Sequence, residues 1–406
     1  EYHVQEQHKN RRCYNGCKLW YLNKNKKRYK WMFAHNENKK KEIIKEGTNQ
    51  IGCITFLIPP LNQDNPVSGG FRTVFRMINY LMVQKKYNIN IEICGEYKTS
   101  IDEQKKRIGL YREIIDLTSV QVYFEKQMTN ANLYIATGWQ TFKKLNLYSK
   151  LKNRLVAFFC QDLEYEFEIV KADKQREAYT RNFYEQKIPT FTMSKFLATK
   201  FTDDRKIKST SLNVDVDIFN SKNINSKNGI CLLYAPVKKH RLPELVVELT
   251  KSLAEKYPTK DIYLYGDDTM TDLDVKSDNI KLLGTLTAEE TAELYKKCEL
   301  GVIFSTTNPS RIAYEMVACG TPVIEADNEY TNYDMNSDAF VRLKTEFDII
   351  MKKIEELLGN QDEMKRLRDE CEIYSKNNFK KNAEEQRFLE FVENEVMEKA
   401  PNTTIR

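Results

Sequence analysis

The sequence predicts an α/β protein with two doubly wound domains followed by C-terminal helices. Three observations lead to this prediction. Short apolar runs alternate with segments of helical periodicity, a polar stretch near residue 220 separates two such series, and the pattern beyond Lys344 is purely helical. The chain has 406 residues, of which 41% are hydrophobic, so it is long enough to form two buried cores.

The first domain is expected to begin with a buried strand. Residues 51–58 form a continuous apolar run, which Pro59 and Pro60 end. A polar loop runs to Ser68-Gly69-Gly70, and an amphipathic helix is predicted after it, with Phe71, Val74, Phe75, Ile78 and Leu81 at helical spacing. Further short strands of this domain are predicted at Ile91–Cys94, Leu133–Ala136, Leu155–Cys160 and Ile188–Thr192.

The second domain is expected to open with a strand at Ile230–Tyr234, after the linker-like residues 221–229. An apolar stripe from Leu242 to Leu253 predicts the first helix of this domain. Further strands are predicted at Ile262–Tyr265, Ile280–Leu283, Leu300–Phe304 and Val323–Glu325.

Residues 301–325 combine a strand, a turn, a helix and a second strand. Asn308, Pro309 and Ser310 have the chemistry of a turn and a helix cap, and Gly320 ends the helix. In a parallel sheet, ligands bind at the carboxyl ends of the strands, and a helix that begins there directs unpaired N–H groups toward an anion. The turn before this helix is therefore a candidate site for phosphate and sugar.

The same stretch resembles the donor-site segment of family 4 glycosyltransferases, which has two Glu eight positions apart and then a Met-Ala-x-Gly-x-Pro-Val run. Residues 315–323, EMVACGTPV, match the second half, whereas Thr307 stands at the position of the first Glu. Asn-Pro-Ser before a retained Glu-Met is more similar to the WsaF-type rhamnosyltransferases of rhamnan synthesis. The alternative is an ordinary βαβ crossover in another doubly wound protein.

The resemblance implies the GT-B architecture, in which two Rossmann-like domains face each other across a cleft, and it covers residues 49–398. The expected organisation is a basic segment 1–48, an acceptor domain 49–220, a donor domain 221–375 and a C-terminal helix 376–406 that packs back toward the first domain.

The resemblance places the nucleotide-sugar donor on the second domain. Glu315 matches the family Glu that binds ribose hydroxyls, and a carboxylate suits a vicinal diol because it offers two acceptors in one plane. Leu283 and Gly284 lie in the segment that resembles the part contacting the base edge. The other residues expected to bind the donor here are Ser310, Arg311, Ile312 and Ala313.

Lys238, Lys239 and Arg241 follow the first strand of the second domain, where the family places an Arg and a Lys that clamp the donor diphosphate. Two cations there would stabilise the charge that develops as the glycosidic bond breaks. Pro236-Val237 stands where the family has Arg-Pro, so Arg241 and Lys238 or Lys239 are expected to substitute. The alternative is a solvated basic loop.

Two segments of the first domain are candidate site elements. Gly69 and Gly70 are similar to the Gly-rich loop of GT-B enzymes, where glycine lets the backbone approach a ligand closely. Residues 159–164, FCQDLE, resemble the Val-Gln-Asp-Tyr-Glu run of the rhamnan branch. Asp162 or Glu164 is therefore a candidate base for the acceptor hydroxyl or a group that orients the donor sugar, with helix capping as the alternative.

No metal site is expected. Asp215-Val216-Asp217 fits the Asp-x-Asp motif of GT-A enzymes, Gly266-Asp267-Asp268 is acidic too, and carboxylates this close can hold Mg²⁺ or Mn²⁺. Asp215, however, belongs to a Val-Asp signature at the domain junction. The two His and two Cys within residues 3–17 lack the longer loop that separates the halves of a zinc site.

The basic residues are concentrated at the start of the chain. Residues 1–48 hold 13 Lys and Arg against 5 Asp and Glu, a balance of +8, so the +6 of the whole chain leaves −2 for the rest. Aromatic residues alternate with Lys and Arg between residues 20 and 33, which suits an anionic membrane surface. A solvated lead-in that packs its aromatic residues on the first domain is the alternative.

Apolar runs are too short to span a bilayer, and the odd number of cysteines suits reduced, buried thiols. We therefore expect a cytoplasmic protein that attaches to the inner face of the plasma membrane through residues 1–48. The resemblance implies transfer of a sugar, L-rhamnose from dTDP-L-rhamnose, to a growing surface polysaccharide or lipid-linked glycan, with no further cofactor and no nucleic-acid partner.

Two alternatives stay open. Thr307 and Pro236 depart from the family pattern, which suggests a nucleotide-sugar-binding relative that has lost catalysis. The basic residues 1–48 suggest a nucleic-acid-binding protein in which the rest of the chain is a scaffold.

Overall fold

The computed structural model of the chain describes residues 52–61, 68–85, 87–124, 127–201, 206–222, 224, 227–273, 275 and 277–397. Within these residues, two parallel sheets with helices on their faces confirm the predicted α/β class. None of the described helices is both long enough and apolar enough to cross a membrane. The basic segment 1–48, with its predicted membrane role, lies outside the described residues.

The first sheet is built from parallel strands in the order β3-β2-β1-β4-β5-β6-β7. Its strands are β1 (Cys53–Ile58), β2 (Asn88–Ile93), β3 (Gln121–Phe124), β4 (Leu133–Ala136), β5 (Leu155–Cys160), β6 (Thr190–Thr192) and β7 (Ile207–Ser209). The central strand β4 is buried along its whole length because helices cover both faces, as in other parallel sheets.

Six helices accompany this sheet in the described part of the chain: α1 (Gly69–Lys85), α2 (Ile101–Ile108), α3 (Phe142–Tyr148), α4 (Glu168–Lys171), α5 (Lys174–Tyr184) and α6 (Lys195–Thr199). Helix α1 buries Val74, Phe75, Ile78 and Leu81 on one face, which is the face that its helical periodicity predicts. Ser68 precedes it and accepts a hydrogen bond from the N–H of Phe71 (3.4 Å).

The second sheet is also parallel, with the order β10-β9-β8-β11-β12-β13, which is the strand order of dinucleotide-binding folds. Its strands are β8 (Gly229–Leu233), β9 (Asp261–Tyr265), β10 (Ile280–Leu282), β11 (Cys298–Val302), β12 (Val323–Ala326) and β13 (Phe340–Leu343). Strand β11 begins and ends two residues earlier than predicted, so Phe304 lies in the loop beyond it.

The helices of the second domain are α7 (Pro243–Lys256), α8 (Ala288–Lys297), α9 (Arg311–Ala318), α10 (Glu329–Asp334), α11 (Phe347–Leu358) and α12 (Gln361–Asn378). Local sequence fixes several of their ends. Pro243 occupies the first turn of α7, and Thr287 and Glu290 form a capping box at the start of α8. Gly320, with φ of +69°, reverses the chain after α9, as the sequence predicts.

The end of the described chain returns to the first domain. After α12, helix α13 (Ala383–Glu390) and a π-helical turn (Phe391–Met397) follow. The ring of Phe388 in α13 lies 5.2 Å from those of Phe159 and Phe191, which belong to β5 and β6. The predicted boundary near residue 375 falls inside α12, so the crossing between domains occurs after Asn378.

Candidate active site

The carboxyl ends of the two sheets meet at the predicted site. Strand β5 of the first domain is followed by Gln161 and Asp162, and strand β11 of the second is followed by the loop that leads into α9. Asn308 Nδ2 donates a hydrogen bond to the Gln161 carbonyl (2.8 Å), and the Thr307 hydroxyl lies 3.4 Å from Asp162 Oδ2. The structure therefore brings the candidate base Asp162 next to the candidate donor loop.

The two predicted carboxylates of the first domain have different surroundings. Asp162 accepts the N–H of Leu163 (2.8 Å); burial raises its pKa to about 6, and nearby Arg241 opposes this rise. Glu164 accepts the N–H of Trp139 (2.7 Å), and burial, with the charge of Asp162, raises its pKa to about 8. At neutral pH, Asp162 is therefore mainly ionised, whereas Glu164 mainly carries its proton.

Arg241 is a half-buried cation of the second domain at this site. Its Nη1 donates to the carbonyl of Phe304 (3.2 Å) and to the hydroxyl of Ser305. Burial lowers the pKa of the guanidinium, and the charges of Glu325 and Asp162 oppose that shift. The cation is therefore close to one carboxylate from each domain.

The other basic residues of this loop differ in their surroundings. Lys238 reaches solvent, yet the protein around it lowers its pKa to about 8, and Arg241 adds to this shift. Lys239 is exposed and pairs with Glu244 at the surface. The His240 ring stacks on Phe167 of the first domain (5.8 Å between centroids), and burial lowers its pKa to about 3. Arg241 and Lys238 are therefore better placed for an anion in the cleft than Lys239.

Glu325 is a buried carboxylate that the sequence analysis did not identify as a site residue. It lies in β12, is fully buried, and accepts hydrogen bonds from the N–H (2.6 Å) and the hydroxyl (2.8 Å) of Ser305. Burial raises its pKa to about 7. A sequence signal was available, because a Glu at the end of a buried apolar strand requires hydrogen-bond partners.

The start of α9 supplies backbone donors. Ser310 precedes the helix, and its side chain does not cap the helix. Its N–H donates to the Ser305 hydroxyl (3.1 Å). Ile312 is half-buried and Ala313 is buried, and the N–H of Ala313 already donates to the Ser310 carbonyl (3.2 Å). A helix N-terminus of this kind stabilises negative charge.

Glu315 lies on α9 in a cationic environment. Its side chain is half-buried; burial raises the pKa to about 6, while Arg311, Arg72 and Arg76 lower it. Arg72 and Arg76 belong to α1 of the first domain. Glu315 therefore faces the other domain, and its role in binding ribose stays a prediction.

Arg311 joins three parts of the chain. Its Nη1 pairs with Glu384 of α13 (2.7 Å) and donates to the carbonyl of Asn213, while its Nη2 lies 3.4 Å from the Thr73 hydroxyl. These contacts account for a structural role between the domains, and a role in donor binding stays a prediction.

The two predicted glycine segments lie at different places: Gly69 and Gly70 begin helix α1, and Gly284 follows strand β10. A Cβ at Gly70 would lie 3.6 Å from Gln161 Oε1, whereas a Cβ at Gly69 would meet no atom within 4 Å, so Gly70 borders the site more closely. In the second domain, Gly284 has φ of +65°, and a Cβ there would lie 2.7 Å from Asp268 Oδ1. Leu283 beside it is 37% exposed, so this segment presents an apolar side chain and backbone to solvent.

The acidic motifs that resemble metal sites have other partners. Asp215 accepts the N–H of Asp217 (3.1 Å), and the Asp217 carboxylate pairs with Lys381. Asp267 accepts the N–H of Thr269 (2.9 Å). Among the residues that the structure describes, no group of three or more His, Cys, Asp and Glu is arranged to hold a metal ion.

The second domain of this chain is similar to a known protein family. Residues 229–355 match the family model of the WsaF C-terminal domain. A 47-residue stretch is 47% identical to the O-antigen biosynthesis protein RfbC of Myxococcus xanthus, and it covers 11% of this chain and 4% of that protein. The match thus spans a small part of the length of this curated relative.

Solved structures are similar over most of the chain. Sucrose-phosphate synthase from Thermosynechococcus elongatus has a TM-score of 0.62 at 12% identity, over 84% of this chain and 98% of its own. TarM from S. aureus, in a complex that contains UDP, has a TM-score of 0.62 at 13% identity, over 84% of this chain and 100% of its own.

A putative UDP-N-acetylglucosamine 2-epimerase from Listeria monocytogenes has a TM-score of 0.54 at 12% identity, over 85% of this chain and 96% of its own. At these identities the likeness shows the fold and not the reaction. The chain has the GT-B fold, and its second domain is similar to the C-terminal domain of WsaF.

Proposed function

We propose that this protein is a glycosyltransferase that moves a sugar from a nucleotide diphosphate to a glycan. The observation that supports this most directly is the placement of Asp162 of the first domain next to Arg241 and the loop before α9 of the second. The match to the WsaF C-terminal domain and the similarity to an O-antigen biosynthesis protein support polysaccharide synthesis as the process.

The proposed donor site lies on the second domain. The diphosphate would lie near Arg241, Lys238 and the N–H groups at the start of α9, because cations and a helix N-terminus both stabilise phosphate. Glu315 would accept hydrogen bonds from hydroxyls of the nucleotide pentose, two in the ribose of UDP and one in the deoxyribose of dTDP, and Leu283 and Gly284 would lie along the base. We propose dTDP-L-rhamnose as the donor on the basis of the sequence resemblance to WsaF-type enzymes.

The proposed reaction exchanges one glycosidic bond for another. The bond between the sugar and the diphosphate breaks, and its electron pair goes to the diphosphate, where Arg241 and the helix N-terminus stabilise the new charge. The acceptor hydroxyl bonds to the same sugar carbon, and its proton is transferred to a base. Asp162 fits the base because it is mainly ionised at neutral pH, whereas Glu164 fits an orienting group because it mainly carries a proton.

The proposal includes no divalent metal, because Arg241, Lys238 and the start of α9 supply positive charge for the diphosphate. Activity that a chelator abolishes and Mg²⁺ or Mn²⁺ restores would contradict this part. It would instead direct attention to Asp215 and Asp217.

A nucleotide-sugar-binding protein without transferase activity is the second candidate. Thr307 favours this second candidate, because the family 4 glycosyltransferases that the segment resembles have a Glu at this position. The GT-B fold does not decide between the two, since the similar structures also include a putative epimerase. The discriminating property is turnover with an acceptor.

The test is a panel of nucleotide sugars added to the full chain, with the shift in melting temperature as the first readout. The donor that stabilises the protein most is then incubated with lipid-linked and polysaccharide acceptors, and mass spectrometry detects the lengthened glycan. Stabilisation with product formation supports the transferase. Stabilisation without product from any acceptor, or conversion of the donor sugar to an epimer, contradicts it.

We also propose where the acceptor binds and where in the cell the protein acts. A lipid-linked glycan or polysaccharide would approach the first domain, and residues 1–48 would attach the protein to the inner face of the plasma membrane. Their +8 balance suits anionic lipid, at about 1 kcal/mol per basic residue. Removal of residues 1–46 should release the protein from anionic vesicles, whereas a preference for single-stranded nucleic acid would contradict the membrane role.

A further inference from the structure

Ser305 connects three parts of the candidate site. It is fully buried in the loop that follows β11. Its hydroxyl lies 2.8 Å from Glu325 Oε2 and 3.1 Å from the backbone nitrogen of Ser310, and Arg241 Nη1 also donates to it. One hydroxyl therefore contacts the buried carboxylate, the diphosphate-binding candidate and the turn before α9.

The chemistry of these partners fixes the direction of each hydrogen bond. Arg241 and the N–H of Ser310 can only donate, and a hydroxyl has one proton and two lone pairs. The Ser305 hydroxyl therefore accepts from both and donates its own proton to Glu325. An ionised carboxylate suits this arrangement because it can only accept.

Glu325 is itself held firmly. Its Oε1 accepts the N–H of Ser305 (2.6 Å) and the N–H of Ala326 (2.8 Å), while Oε2 accepts the Ser305 hydroxyl. It lies at the end of β12, where strand geometry fixes its backbone. Because the carboxylate of Glu325 is fixed, it determines the direction in which the Ser305 hydroxyl donates its proton.

We propose that Glu325 and Ser305 are positioning residues, which orient Arg241 and the 305–310 loop to receive the diphosphate of the donor. This inference rests on the proposed function. Glu325 and Ser305 would support the residues that bind the diphosphate without binding it themselves. Neither side chain would touch the donor, because Ser305 is buried beneath Arg241 and Glu325 lies beneath Ser305.

Orientation matters here because a guanidinium binds phosphate through a planar fork of donors. Without the Ser305 hydroxyl, Arg241 Nη1 would keep only the carbonyl of Phe304 (3.2 Å) among the hydrogen bonds seen in the described residues. The cation would remain present, but its fork would be less well fixed. The expected consequence is weaker binding of the diphosphate through Arg241 and no general loss of the fold.

The test uses Glu325→Gln in the full chain, with UDP and dTDP as probes in calorimetry. The amide nitrogen of Gln can donate but not accept. The Ser305 hydroxyl would then face three donors, namely Arg241, the N–H of Ser310 and the new amide, and it would lose the acceptor for its own proton. We expect affinity for both nucleotides to fall about tenfold. In an Arg241→Ala background the same substitution should cause no further loss, since the residues act through one cation.

A matched control is Glu299→Gln. Glu299 is also a buried carboxylate in the second sheet, on β11, but it pairs with Lys260 and not with the Ser305 hydroxyl. Its substitution should leave UDP affinity unchanged. If Glu325→Gln does not fold, Ser305→Ala provides the same test, because it removes the hydroxyl and leaves the carboxylate in place.

The outcomes separate this inference from the proposed function. If the wild type binds nucleoside diphosphate and Glu325→Gln binds equally well, the positioning role is overturned while the proposed function stands. The positioning role is also overturned if the double variant loses as much binding free energy for UDP as the sum of the losses of Glu325→Gln and Arg241→Ala. If the wild type binds no nucleoside diphosphate, the proposed function is wrong and this inference falls with it.

Discussion

The strand ends of the two domains differ in charge. In the first domain, β5 leads to two carboxylates, Asp162 and Glu164, with raised pKa values. In the second, β8 leads to Lys238 and Arg241, and the loop after β11 leads to the helix N-terminus of α9. The second domain is thus suited to an anionic diphosphate, and the first to accepting a proton from a hydroxyl.

The two domains also differ in how their site residues are held. Arg241 is fixed within its own domain by Phe304, Ser305 and the nearby Glu325. Asp162 instead contacts the opposite domain, through Thr307. A reaction centre formed at this contact depends on the relative position of the domains, whereas the cation site can exist within the second domain alone.

Substitution of Asp162 should have the largest effect. Asp162→Asn keeps the size of the side chain but removes the base, so kcat is expected to fall about 10³-fold with little change in donor affinity. Steady-state kinetics and calorimetry with the same donor measure the two quantities. Equal loss of kcat and affinity would indicate that Asp162 belongs to the donor site and not to the acceptor side.

The same residue predicts the acid limb of the pH profile. Burial raises the pKa of Asp162 to about 6, so the base is protonated and inactive below that pH and ionised above it. Activity should therefore rise with pH through about 6. A wild-type profile that stays flat between pH 5 and 7 would be inconsistent with Asp162 as the base.

Substitution of Arg241 should have the next largest effect. Arg241→Ala removes the cation of the second domain and is expected to lower kcat/KM by about 10²–10³-fold. Arg241→Lys keeps a charge but not the planar fork, so it should recover only part of the activity. A matched control is Arg366→Ala, which removes a surface cation on α12 and should leave kinetics unchanged. Full activity of Arg241→Ala would rule out its role at the diphosphate.

The ion pair between Arg311 of α9 and Glu384 of α13 gives a prediction about stability. Glu384 of α13 is fully buried and accepts from Arg311 (2.7 Å) and from the N–H of Asn213. Glu384→Ala leaves a buried cation without its partner, so the free energy of unfolding should fall by about 3 kcal/mol. Asp369→Ala breaks an exposed pair with Lys365 and should change it by less than about 0.5 kcal/mol. Equal urea midpoints for the two variants would show that the buried pair is not a structural link.

The smallest effect is expected at Glu315. Glu315→Ala should weaken UDP binding by about 1–3 kcal/mol, the usual range for hydrogen bonds to a charged group. The loss should be smaller for dTDP, because deoxyribose offers one hydroxyl where ribose offers two. Calorimetry with the two nucleotides measures the difference. Unchanged binding of both by a folded variant would remove Glu315 from the donor site.

Sequence patterns predicted the fold best where structure is local. Residues 301–325 form the predicted βαβ unit, because turn, cap and apolar stripe all lie within one short stretch. Strands β3, β7 and β13 were not predicted. They are short, and most of their residues are half-buried, so they lack the continuous apolar run of a central strand.

Local patterns also identified some of the candidate site residues. Glu315 and Arg241 follow from motif and loop position, but their partners are distant in sequence. The contact of Arg311 with Asn213 and the contact of Arg241 with Ser305 depend on how distant segments fold together. Glu325 was missed because its chemistry depends on Ser305, which faces it from the neighbouring loop. Pairings of this kind depend on tertiary structure and have no local pattern.

A crystal structure of the full chain with UDP or dTDP would locate the diphosphate. We expect it within hydrogen-bond distance of Arg241 and of the N–H groups that begin α9, with the nucleotide pentose at Glu315 and Asp162 facing the same cavity. A diphosphate bound away from Arg241, or held through a divalent cation at Asp215 and Asp217, would contradict this expectation.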